Sequence, residues 1–128
     1  MQPRRILVVA EGPISDSIRQ ALEQRGFDIG ATDNPAKALQ KLSESELDLI
    51  LIDLEVAQAA EFIRKVRNIS SLRGTSVLAI GEWGSGQPTV ALAAGADAYE
   101  PAPIDPERLV DAVQRVLHKR AAAVGMND

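Results

Sequence analysis

The sequence predicts an α/β fold, a doubly wound five-stranded parallel sheet with five helices. Three observations carry the prediction. The runs "RILVVA" (5–10), "LDLILID" (47–53) and "TSVLAIG" (75–81) are near-continuously apolar rather than alternating, the pattern of strands covered on both faces. Segments with helical spacing separate them, and parallel neighbours need such a crossover. The chain has 128 residues, of which 45% are apolar, enough for one core without disulfide or metal staples.

Each element can be justified in order. "RILVVA" reads as a central strand, and Ser15 to Arg25 as an amphipathic helix with Ile18, Ala21 and Leu22 on one face. Gly26 follows, where a helix C-terminal cap favours positive φ. "FDIGATD" (27–33) is a weaker second strand because Gly30 interrupts it; Asn34 then offers an N-cap, with Pro35 at the first position of a helix reaching about Glu46. "LDLILID" is the third strand, and the third helix covers Ala57 to about Asn68 with Phe62, Ile63 and Val66 inward. After the fourth strand, "EWGSGQP" (82–88) is a glycine-rich turn before a short alanine-rich helix ending at Gly95. "DAYEPAP" (97–103) is a short fifth strand that breaks on prolines. Asp105 caps the last helix, with Pro106 first and Leu109, Val110, Val113, Val116 and Leu117 as its stripe. The domain is expected over 1–120, and "AAAVGMND" (121–128) as a frayed tail or the start of a linker.

Composition narrows the function classes. Cysteine is absent, which removes disulfides and thiolate metal sites and points to a cytoplasmic location. The opening "MQPRRILVVAEG" is too short in apolar length for a signal peptide or a membrane span, so no membrane partner is expected. A formal charge of −4, with "HKR" (118–120) the longest basic cluster, argues against direct nucleic-acid binding. One Trp, one Tyr and two Phe make a base-stacking platform improbable.

In open parallel sheets the ligand crevice lies at the carboxyl ends of the strands. Here those ends carry Ala10 and Glu11, Asp53 and Glu55, Gly81 and Glu82, and Ala102 and Pro103, an acidic edge. The order of elements, "RILVVAEG", "LDLILIDL" with its terminal aspartate, "AGADAY" and "PAPIDPERL" together resemble the receiver domain of two-component response regulators, over about residues 4 to 118. The resemblance implies a flavodoxin-like sheet of strand order 2-1-3-4-5. It also implies an aspartate that accepts a phosphoryl group from a histidine kinase, with Mg2+ held by an acidic pair, the acceptor and a carbonyl.

Carried over position by position, Asp53 matches the acceptor and Glu55 the carbonyl position, while Tyr99 matches the aromatic switch. Ala102 and Pro103 match the usually cis bond. The departures are concentrated in the site. Ala10 has lost one carboxylate of the acidic pair and Glu11 keeps the other; Gly81 stands where a hydroxyl should be, and Ala102 where a lysine should be. The loop "EVAQAAEF" (55–62) lacks the family's Pro and Asp-Gly and is about two residues short. Phosphoryl transfer is catalysed by positioning and by neutralising charge, and loss of one fixed donor commonly costs roughly 10²- to 10³-fold. With cation and hydroxyl both missing, an atypical pseudo-receiver is expected, with Mg2+ absent or weakly bound through Glu11, Asp53 and Glu55.

Other residues receive plainer readings. Asp53 is either a strand-end capping residue or a residual acceptor, and Tyr99 is read as packing rather than switching. Trp83 is either folded over the core edge or offered to a partner. His118 near a helix end complements the dipole, and neither "GSGQP" nor "AEGPIS" has the make-up of a phosphate or flavin cradle. The expected function is a non-enzymatic, phosphorylation-independent interaction module, docking a histidine kinase, an effector domain or a second copy through the last two helices. The rivals are a phosphoacceptor with altered kinetics at Asp53 and an unrelated small α/β binding protein.

Overall fold

Every predicted apolar run forms a strand, and every predicted helical segment a helix. The computed structural model describes residues 3–44, 46–72, 74–82 and 86–125, with 70 and 120–125 described by backbone alone. In chain order the elements are β1 (Arg5–Val9), α1 (Pro13–Glu23), β2 (Asp28–Thr32), α2 (Pro35–Glu44), β3 (Leu49–Asp53), α3 (Ala59–Asn68), β4 (Ser76–Glu82), α4 (Gln87–Ala94), β5 (Ala98–Ala102) and α5 (Pro106–Gly125). A 3-10 turn, Ser70–Leu72, precedes β4. The strands pair in parallel in the order β2-β1-β3-β4-β5, leaving β2 and β5 as the edges.

The continuous apolar pattern has a simple cause. Side chains alternate across a strand, and here both faces are covered. Leu7, Val9, Ile50, Ile52, Val77 and Ala79 pack with Phe62, Ile63 and Val66 of α3 and Ala91 of α4. Ile6, Val8, Leu49, Leu51, Leu78 and Ile80 pack on the other face with Ile18 and Leu22 of α1 and Leu109, Val110 and Val113 of α5. Every residue of β3 is buried, Asp53 included. That places a carboxylate at the mouth of the most enclosed strand.

Local capping follows the sequence. Asn34 Oδ1 accepts from the amides of Ala36 at 2.7 Å and Lys37 at 3.4 Å, and Asp105 Oδ1 accepts from Glu107 at 3.0 Å. Several boundaries differ from the prediction, three of them at helices with a plain cause. α1 begins at Pro13, the proline occupying its first turn. α3 begins at Ala59 because Gln58 adopts a left-handed conformation, φ 65°. α5 continues to Gly125, so 121–125, read from the sequence as a tail, are helical; the run of alanines there is the best helix-forming composition available.

A polar node fixes the far end of α4. Arg67 of α3 donates from Nε to the Gly95 carbonyl at 2.7 Å, from Nη1 to the Thr75 carbonyl at 2.8 Å and from Nη2 to Asp97 Oδ2 at 2.6 Å. Asp97 Oδ2 also accepts from the Val77 amide at 2.7 Å. Gly95, at φ 121°, is required here: a Cβ would lie 2.5 Å from Arg67 Cγ. Among the described residues no helix is long and apolar enough to cross a membrane.

Candidate functional site: an acidic edge at the strand ends

Asp53 ends β3 opposite Ile80 of β4, and the loop after it folds into tight turns. The Leu54 amide donates to the Ile80 carbonyl at 2.8 Å and the Val56 amide to the Asp53 carbonyl at 3.0 Å. The Glu55 amide donates to Asp53 Oδ1 at 3.0 Å. With 6% of its surface exposed, Asp53 is one of three buried polar residues, the others being Thr75 and Ser76, among the described residues. Burial pushes its carboxyl above the usual aspartate range; the Glu55 amide opposes this, while the charges of Glu55 and Glu11 reinforce it. Asp53 thus feels the charges of both Glu55 and Glu11.

The neighbouring strand ends supply little to balance that charge. Ala10 is buried and packs in the cluster beneath α1 and α5, and half-buried Ala102 packs against the same cluster. The Ala102–Pro103 peptide bond is cis. Among the described residues no three His, Asp or Glu side chains are grouped to hold a metal ion. With a methyl at position 10, the donor set does not fit a firmly held Mg2+, which needs near-octahedral oxygen ligation.

Gly81 is buried at the penultimate position of β4, beside the Gln87 and Tyr99 side chains. The Tyr99 hydroxyl donates to the Glu82 carbonyl at 2.7 Å. Burial first, then the charges of Glu82, Asp53 and Glu55, raise the Tyr99 phenol, keeping it a donor. Gln87, at the start of α4, accepts from the Glu82 amide through Oε1 at 2.8 Å and extends Nε2 to 3.5 Å from Glu55 Oε1. Sequence reasoning did not single out Gln87. The available signal was the glycine six residues before it, which leaves the room its carboxamide uses.

Residues 6–114 match the family model of the response regulator receiver domain. The chain belongs to the receiver domain family. Among its relatives, the phosphate regulon transcriptional regulatory protein PhoB of Escherichia coli is 33% identical over 120 residues, covering 91% of this chain and 52% of that protein. The transcriptional regulatory protein CpxR homolog of Haemophilus influenzae is 28% identical over 119 residues, with 91% and 51% covered. The receiver domain thus spans about half the length of these curated relatives. A CheY-like receiver domain protein from Methanospirillum hungatei superposes with TM-score 0.84 at 25% identity, covering 94% of this chain and 98% of that one. A response regulator from Chloroflexus aurantiacus, at 20% identity and TM-score 0.87, with 91% and 98% covered, shares the fold.

Within this receiver domain Asp53 is buried, while positions 10, 81 and 102 carry no polar side chain. Trp83 lies outside the described residues. His118 is exposed on α5, away from the strand ends.

The raised Asp53 pKa sets a direction for pH dependence. A folded-state pKa above the unfolded value means the folded chain holds the proton more tightly, so this stabilisation is present at low pH and lost as pH rises through the folded pKa. Asp53→Asn is expected to be more stable than the parent near pH 7, with the difference shrinking toward roughly pH 3.5, where the carboxyl is protonated. Urea titrations of both proteins at the two pH values measure this. Equal stabilities at neutral pH would mean that the ionised carboxylate carries no net cost.

Proposed function

We propose that this receiver domain is degenerate and works as a protein interaction module in two-component signalling whose state does not depend on phosphorylation. One observation carries the reading: Ala10, Gly81 and Ala102 leave buried Asp53 without the carboxylate, hydroxyl and ammonium that phosphoryl transfer needs at those positions. Its docking partner is a histidine kinase, an effector domain or a second copy. The surface assigned to this is α4, β5 and α5. Its support is that α4 (Gln87–Ala94) carries no charged side chain and leaves Val90 and Leu92 about half exposed. The module is cytoplasmic, has no enzymatic activity, contacts neither nucleic acid nor membrane itself, and uses no cofactor beyond a weakly bound Mg2+.

A second reading, acceptance of a phosphoryl group on Asp53 from a histidine kinase with altered kinetics, is favoured by the survival of that aspartate beside Glu11 and Glu55. Incubation with Mg2+ and a small phosphodonor such as carbamoyl phosphate, followed by intact mass, separates the two. The expected spectrum shows the unmodified mass alone. A stoichiometric phosphoryl adduct that disappears in Asp53→Asn would replace the first reading with the second.

A further inference from the structure

Gln87 reaches back from the start of α4 to the ends of β3 and β4. The chain reaches it through Gly86, in a left-handed conformation at φ 81°, and then enters α4. From that first turn the carboxamide runs back over the end of β4. Its Oε1 takes the Glu82 amide at 2.8 Å, and its Nε2 faces Glu55 Oε1, on the loop after β3, at 3.5 Å. The Tyr99 hydroxyl takes the Glu82 carbonyl from the opposite side at 2.7 Å. Both backbone groups of Glu82 are therefore met by side chains, one from α4 and one from β5. Glycine at 81 leaves room for this arrangement: a Cβ there would overlap Gln87 Oε1 and lie 2.8 Å from the Tyr99 hydroxyl oxygen, so one or both side-chain ends would have to move.

We propose that Gln87 is a built-in latch. Its carboxamide fills, from within the domain, the space beside Glu82 that a side chain at position 81 would otherwise hold. It ties the first turn of α4 to the ends of β3 and β4 without any ligand. Arg67 holds the other end of the same helix through the Gly95 carbonyl. α4 is thus fixed at both termini by the chain's own side chains, and the surface it presents has one setting. The purpose of the latch rests on the phosphate-independent reading above, but its geometry is tested separately.

The experiment is amide hydrogen exchange of the full chain, followed by NMR at Glu82. In Gln87→Ala the Glu82 amide loses its acceptor and is expected to exchange about tenfold faster, the equivalent of one hydrogen bond. Gly81→Ala leaves Gln87 in the sequence but puts a methyl where the carboxamide lies, and is expected to speed the same amide by a similar factor. The double variant is expected to add nothing to either single one, because both remove one interaction. Unchanged Glu82 exchange in Gln87→Ala, or effects that multiply in the double variant, would overturn the latch. Those results would leave phosphate independence standing. A phosphoryl adduct on the parent chain would remove phosphate independence and leave the exchange result intact.

Discussion

Ala10→Asp, Gly81→Thr and Ala102→Lys, made together, are expected to convert the chain into one that takes up a phosphoryl group on Asp53 from Mg2+ and a small phosphodonor. Each change restores a different physical element. A carboxylate at position 10 completes, with Glu11 and Asp53, an oxygen set that Mg2+ can accept. A hydroxyl at 81 and an ammonium at 102 supply fixed donors for the charge on the transferring oxygens. At about 10²- to 10³-fold for each such group, the combined gain is on the order of 10⁴-fold or more. The ammonium at 102 would also offset the negative crowding by Glu11 and Glu55 that raises the Asp53 carboxyl. The threonine must displace the Gln87 carboxamide, so adding Gln87→Ala to the triple variant is expected to speed uptake further. Intact mass against time measures both. A triple variant as inert as the parent would assign the block to the loop from Leu54 to Gln58, whose turns are closed by the Val56 and Ala59 amides.

The second large effect concerns stability. Arg67→Ala is expected to lower unfolding free energy by about 3 kcal/mol and Tm by roughly 10 °C. The Arg67 and Asp97 side chains are only 18% and 24% exposed, so the pair is shielded well beyond a surface ion pair. Truncation removes donors from two carbonyls and takes the guanidinium from Asp97, whose Oδ2 still accepts from the Val77 amide. Arg67→Lys is expected to recover less than half of the loss, because one ammonium cannot reproduce the guanidinium fork. Urea and thermal melts decide it. A loss under about 1 kcal/mol would place the node with ordinary surface pairs.

How much of this was legible in the sequence depends on how far apart the cooperating residues lie. β1, β3 and β4 announce themselves because each strand's own residues meet two covered faces, and Asn34 and Asp105 because a cap acts within three positions. Asp53 is conspicuous for the same reason, as the first acidic residue after an apolar run. Gln58 conceals the start of α3, since its left-handed turn is imposed by the fold rather than by a glycine. The Arg67 node joins residues 8 to 30 positions apart, and Gln87 reaches Glu55 across 32. No local pattern encodes such meetings. At the strand ends, the apolar residues at 10, 81 and 102 could be read directly, whereas the carboxamide that lies against Gly81 required three dimensions.

β5 lies at an edge of the sheet, and Pro101 stands in its middle, opposite Gly81. An exposed edge invites another chain to add a strand, and proline withholds one of the donors such an addition would need. Association along this border is therefore steered away from backbone zipping and toward side-chain recognition by the flanking helices. That restraint lets a small domain be sociable with chosen partners while resisting indiscriminate sheet growth.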